Sequence, residues 1–268
     1  KMKTLKLKKV EHNIKVGDVC PYYEPTIKED CLLEDEGEII GFYIKDVSKY
    51  NKRLGKLLSV SNREFRSDNV PKSVMLRSES LRDGYEKYGT YKLDNPVEQY
   101  STILGSIPPR ALMRRSYASR SSVHNEPKAE TFVKAMWATA VESGKLMKQV
   151  APELYKKQKE LLDNVEDKWK FGELFTSSIS NFNIAASFHQ DKGNLQGTLN
   201  VILTKRNNSK GGSLNVPDYN ATFEQADGSM LVYPAWRNIH GVTPIKPIHE
   251  TGYRNSLIFY TLKYFNNK

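Results

Sequence analysis

The chain has 268 residues and is 38% hydrophobic, enough to bury a core and form one large domain or a domain with a sizeable extension. Its 41 lysines and arginines against 31 acidic residues leave a net charge of +10, which favours polyanionic partners such as nucleic acid or an anionic membrane surface. Two cysteines exclude a disulfide framework, and no run reaches the roughly 18 apolar residues of a membrane span.

Lys1–Lys9 is basic but lacks the apolar core of a signal peptide. Together with Cys20 and Cys31, which suggest a reducing compartment, it leads us to expect a cytoplasmic or nuclear protein, in the host cytoplasm if viral. Ile39–Ile44 predicts a strand after the acidic stretch Glu34–Glu38, and residues 51–100 read as loops with short elements. Residues 1–100 are therefore expected to be an N-terminal extension of mixed short elements, with the main domain spanning 101–268. Residues 101–125 hold Arg110, Arg114, Arg115 and Arg120, no acidic residue, and interleaved serines and Tyr117. The stretch is either a phosphate contact, with Arg114, Arg115 and Arg120 neutralising charge, or a solvated basic loop.

Helices are predicted over about 127–166. Pro127 suits a first turn, Phe132, Met136, Trp137, Ala140 and Val141 form one apolar face, and Pro152 begins a second helix through Leu154, Leu161 and Leu162. From about 175 to 265 the pattern turns to short strands: Ile179–Phe188, Gly197–Thr204, Ser213–Val216, Met230–Tyr233 and Ser256–Tyr264. The expected class is α+β, a double-stranded β-helix (jelly roll) with the helices packed on one sheet.

His189 and Asp191 stand at the end of a strand-like run, where residues i and i+2 share a face and can converge on one ion. His240 follows about three strands later. Two histidines and one carboxylate are the ligands of a mononuclear Fe(II) site with open positions for a cosubstrate and O₂. Arg254, opening the last strand, offers a planar fork for a carboxylate of an organic acid, or else forms a surface salt bridge. His249 competes with His240 as distal ligand; His12 and His124 read as surface residues. Asn183 would face the same way as Asp191 in a regular strand, and either touches cosubstrate or base or makes a structural hydrogen bond.

These residues carry a resemblance. The run Asp227–Tyr233, then His240-Gly241-Val242-Thr243-Pro244, with Gly211-Gly212-Ser213-Leu214 before it, resembles the core of the Fe(II)/2-oxoglutarate dioxygenases. His189-Gln190-Asp191-Lys192-Gly193-Asn194 and the Gly-Gly-x-Leu-x-x-Pro-x-Tyr stretch ending at Tyr219 resemble the TET/JBP branch, which oxidises the 5-methyl group of pyrimidines in nucleic acid. The resemblance covers roughly residues 175–265. It implies Fe(II) on His189, Asp191 and His240, the distal carboxylate of 2-oxoglutarate on Arg254, and O₂-dependent hydroxylation coupled to release of succinate and CO₂. The carboxylate at Asp191 argues for hydroxylation over halogenation.

A base buried in a duplex must flip out to be oxidised. Tyr219, Trp236 and Arg237, close in sequence to His240, are the expected base-stacking and phosphate contacts, with a structural plug the other reading of Trp236. The substrate expected is 5-methylcytosine in DNA, converted to 5-hydroxymethylcytosine and oxidised further where the enzyme permits. The alternatives are thymine, giving 5-hydroxymethyluracil, or the same chemistry on a protein or small molecule; a binding module with a dead metal site is the reading outside catalysis. No membrane and no obligate protein partner is expected. A small stand-alone enzyme of this kind would suit a phage that modifies its own genome.

Overall fold

The computed structural model describes residues 2–74, 98–110 and 115–266. Its N-terminal part carries β1 (Lys3–Lys6), β2 (Cys31–Asp35), β3 (Glu38–Ile44), helix α1 (Lys52–Phe65), β4 (Ser73–Val74), β5 (Tyr100–Ile107) and β6 (Ser119–Arg120). Helices α2 (Glu130–Val150) and α3 (Pro152–Leu162) follow. The strands β7 (Ser177–Phe182), β8 (Ala186–His189), β9 (Asn200–Asn207), β10 (Ser209–Gly211), β11 (Leu214–Val216) and β12 (Ala221–Phe223) come next. The chain closes with β13 (Met230–Tyr233), β14 (His240–Val242), β15 (Ile245–Pro247) and β16 (Tyr253–Tyr260).

The large sheet runs β1-β2-β3-β13-β9-β16-β7-β5-β4, with β6 on β5; the small sheet runs β12-β11-β14-β8. Strand alternation sorts the side chains of the large sheet. Val201 and Leu203 of β9, Met230 and Val232 of β13, and Leu257 and Phe259 of β16 join α1 and α2 in one core. Ile202, Leu231 and Tyr233 point the other way and meet Leu214, Val216 and Phe223 of the small sheet. This is the expected two-sheet jelly roll with helices on one face. At the open end of the sandwich the inward row of β16 becomes Arg254, Ser256, Ile258 and Tyr260, and lines a cavity instead of core.

Three expectations change. The sheet does not respect a boundary at residue 100: β3 pairs antiparallel with β13, Phe42 opposite Val232 and Ile44 opposite Met230. The approach is so close that a Cβ on Gly41 would lie 2.2 Å from the Val232 carbonyl oxygen, which only glycine avoids. Residues 52–65 are helical, not loop: the Asn51 side chain accepts from Leu54 N, and Leu54, Leu58 and Phe65 bury one face. The basic stretch from 101 begins as β5, a strand laid between β7 and β4. No helix among the described residues is long and apolar enough to cross a membrane.

Candidate metal centre and its cavity

β8 and β14 pair antiparallel with His189 directly opposite His240, which sets their rings 4.3 Å apart. Asp191 lies just past the end of β8 and completes the group: one ligand atom from each residue falls within 4.8 Å of the others. His189 Nε2 is 3.4 Å from one oxygen of Asp191 and His240 Nε2 is 3.7 Å from the other. Among the described residues this is the cluster of histidine, cysteine and acid side chains able to hold a metal ion.

The donors are prepared for that use. Nδ1 of His189 donates to Ser187 O at 2.8 Å and Nδ1 of His240 donates to Asn238 O at 3.0 Å. Each bond fixes the tautomer that leaves Nε2 with a lone pair facing Asp191. Burial, and then the neighbouring His189, hold the His240 imidazole below its ordinary pKa, against the pull of Asp191. Asn200 donates to Asp191 Oδ2 at 3.4 Å and is itself gripped by Asn194 at 2.8 Å, which orients the carboxylate. Two nitrogens on neighbouring strands and one carboxylate oxygen just past the first, open on one side, fit Fe(II).

The triad opens into a cavity of about 1190 Å³, walled by Ile179, Asn181, Arg254, Ser256, Ile258 and Tyr260 of the large sheet and by β8 opposite. Val16 and Gly17 add an N-terminal wall, held by Gly17 N donating to Phe188 O at 2.8 Å. Arg254 is 2% exposed, and its Nε and Nη2 both donate to Gly212 O, at 3.1 and 2.8 Å. No carboxylate among the described residues pairs with it. Burial, followed by the nearby Arg206, pushes its pKa down to about 9. A cation left in this state costs several kcal/mol, and an incoming carboxylate offsets that cost. The arginine therefore fits a dicarboxylate cosubstrate. Gly212 has φ +71°, and a Cβ there would lie 2.8 Å from Arg254 Nε, so glycine is needed both for the turn and for the guanidinium above it.

Other expected site residues lie elsewhere. Asn183 is not on a strand: it takes φ 54° and breaks the expected Ile179–Phe188 run into β7 and β8. Its Oδ1 accepts from Arg254 N at 2.8 Å, so it supports β16 and does not face the cavity. Tyr219 and Arg237 both donate to the buried Asp35, at 2.9 and 2.6 Å, and Trp236 Nε1 donates to Thr198 O at 2.8 Å. None of these three lines the cavity: Tyr219 and Arg237 are tied to Asp35 at the end of β2, and Trp236 to the Thr198 backbone. Arg120 is half-buried, donating to Ser106 Oγ and Lys170 O and lying over the Phe171 ring. Arg114 falls outside the described residues. Arg115 pairs by its backbone with Arg110, and the Arg110 charge reaches Tyr260 in the cavity wall.

His249 is an exposed loop residue bonded to Thr251, which leaves His240 as the distal member. His12 and His124 are not free surface residues: His12 pairs with Asp218, and His124 accepts from Gly105 N at 2.9 Å, with burial lowering its pKa to about 4. Sequence reading missed Ser256 and Tyr260, although counting in twos from Arg254 places both on the Arg254 face. Burial pushes the Tyr260 phenol up to about 12, so it stays a neutral aromatic wall.

Residues 108–263 match the family model Tet_JBP, described as the oxygenase domain of the 2OGFeDO superfamily. The chain is similar in structure to NgTET1 in complex with 5mC DNA, at 14% identity and a TM-score of 0.59, covering 97% of this chain and 86% of that one. It also matches a 2OG-Fe(II) oxygenase family oxidoreductase from Burkholderia pseudomallei, at 13% identity and a TM-score of 0.41, covering 81% and 83%. No curated protein matches the sequence.

Proposed function

Because the chain belongs to the Tet_JBP family of oxygenases in the 2OGFeDO superfamily, and is thus an Fe(II)- and 2-oxoglutarate-dependent dioxygenase, we propose that it hydroxylates the 5-methyl group of a pyrimidine in DNA, 5-methylcytosine before thymine. The observation that supports this most is the pairing of the His189–Asp191–His240 group with an unpaired buried arginine in the wall of the same cavity. His189, Asp191 and His240 would hold the iron, which with 2-oxoglutarate and O₂ supplies the oxidation of the C–H bond.

The remaining work falls to the protein. Arg254 would clamp the distal carboxylate of 2-oxoglutarate, with the Ser256 hydroxyl on the same face. At about 1190 Å³ the cavity exceeds the roughly 300–1,000 Å³ of an ordinary small-ligand pocket, which leaves room for a flipped base beside the cosubstrate. Tyr260 and Ile258 offer the base an apolar wall. Arg110, whose charge reaches Tyr260, and its bridge partner Arg115 would meet the flanking phosphates, and the net charge of +10 favours a polyanion. The similar structure NgTET1 is in complex with 5mC DNA, which supports the same class of substrate.

The test is nucleoside mass spectrometry after incubating the protein with Fe(II), 2-oxoglutarate and DNAs of defined base content. 5-Hydroxymethylcytosine from methylated DNA is expected. Absence of an oxidised pyrimidine from both 5-methylcytosine and thymine substrates would refute the proposal.

A further inference from the structure

His240 is delivered by residues 234–239, a connection with no regular secondary structure. No ladder holds that backbone, yet the Asn238 carbonyl must be aimed well enough to fix the His240 ring. Bonds from the segment beside the triad hold the first half of the connection, Asp191 N to Ala235 O at 3.3 Å and Gln190 Nε2 to Trp236 O at 2.6 Å, while distant side chains hold Asn238. Asn238 is 6% exposed; its Nδ2 donates to Asp218 Oδ2 at 2.7 Å and its Oδ1 accepts from Tyr233 OH at 2.6 Å. The other oxygen of Asp218 takes His12 Nε2 at 2.6 Å. Ile14 N donates to His12 Nδ1 at 3.1 Å, so that nitrogen is an acceptor and the proton sits on Nε2, pointing at Asp218. Val10 N adds a bond to Asp218 O at 2.8 Å. One residue away, Arg237 is tied to Asp35 of β2.

We propose that His12, Asp218 and Asn238 form a positioning chain for the distal metal ligand, so that the N-terminal segment, outside residues 108–263, is part of the machinery that holds iron. The inference rests on the metal reading of the triad given above. Asp218 uses each carboxylate oxygen on a different donor, and an amide cannot reproduce that: Asp218→Asn sets an N–H against either His12 or Asn238. The outer partner of His240 is the Asn238 carbonyl, which Asp218 braces through the Asn238 side chain; outer partners of metal-bound histidines typically govern affinity by about 10–100-fold.

The experiment measures Co(II) and Fe(II) affinity of the full chain by anaerobic titration, following the Co(II) ligand-field spectrum, with thermal unfolding alongside. Asp218→Asn is expected to weaken metal binding by about 10–100-fold and to shift the Co(II) spectrum. His12→Ala is expected to weaken it less, because water reaches the half-exposed Asp218, and His12→Gln, which can still donate to Asp218, to restore it. Glu142→Gln is the control: it removes the charge of a buried carboxylate that accepts from Asn51 and the exposed Arg53 between α1 and α2, and is expected to lower Tm with metal affinity intact. Wild-type affinity and spectrum in Asp218→Asn, or a loss that follows Tm as closely in Glu142→Gln, would overturn the chain while leaving the metal centre standing. A wild-type protein that binds neither metal overturns both.

Discussion

Arg254→Met separates a binding residue from a structural one. In the free protein the guanidinium is buried, holds Gly212 O with two donors and pairs with no carboxylate among the described residues. Removing it leaves Gly212 O unsatisfied, at about 1–3 kcal/mol. Removing an uncompensated buried cation returns several kcal/mol in the other direction. The two effects nearly cancel, so Tm without cosubstrate is expected to stay level or rise. With 2-oxoglutarate the balance is different: the variant lacks a charge-assisted, two-pronged contact worth about 2–5 kcal/mol, or roughly 30- to 5,000-fold in affinity. Titrating 2-oxoglutarate while following Tm reads both numbers at once, since a ligand raises Tm only through the folded state it binds. Unchanged 2-oxoglutarate affinity would refute the anchor role. A steep fall in Tm without cosubstrate would refute the reasoning about the unpaired charge.

Asn200→Ala frees Asp191 to rotate and is expected to lower metal affinity by about 10–100-fold, read by equilibrium dialysis of the loaded protein. Tyr260→Ala removes the aromatic wall; it is expected to cost about 1–3 kcal/mol in kcat/KM on DNA while 2-oxoglutarate affinity stays put, and equal losses in both would show that the wall acts through the cosubstrate. Burial alone would raise Asp35 and Asp218, but hydrogen bonds from Tyr219 and Arg237 to the first, and from His12 and Asn238 to the second, hold both below the usual carboxylate range. Their stabilisation is therefore complete above the unfolded carboxylate pKa and fades as pH falls through the lower folded values. Urea melts from neutral to acid pH are expected to show Asp35→Asn and wild type converging at the acid end.

The triad was legible in short-range pattern. Strand phase predicts His189 and Asp191 on one face; Asp191 in fact lies just past β8, yet its carboxylate still converges with His189 and His240. The strand position of Arg254 was readable for the same reason, and its phase extends to Tyr260 in the same cavity wall. The substrate residues were not, because closeness in sequence to His240 was taken for closeness to the cavity. Trp236 and Arg237 sit next to a ligand but are turned away by bonds to Thr198 and Asp35, one of them from a strand some two hundred residues earlier. Asn183 failed on a single backbone angle: its positive φ reverses the face that strand phase assigns. The place of residues 31–44 depends on pairing with Met230–Val232, a contact no local pattern encodes. The strand at Ile39–Ile44 was visible locally, and α1 also left a local trace that the loop reading passed over, in the Asn51 cap and the Leu54, Leu58, Phe65 face.

The central claim joins cosubstrate and base in one reaction, and the direct measurement is the stoichiometry of succinate to 5-hydroxymethylpyrimidine on methylated DNA. One succinate for each oxidation step, summed over the hydroxymethyl base and any more oxidised product, from the wild type, and neither succinate nor oxidised base from Asp191→Ala, are the expected result. Succinate formed at the same rate with and without DNA, and no oxidised base recovered, would contradict it.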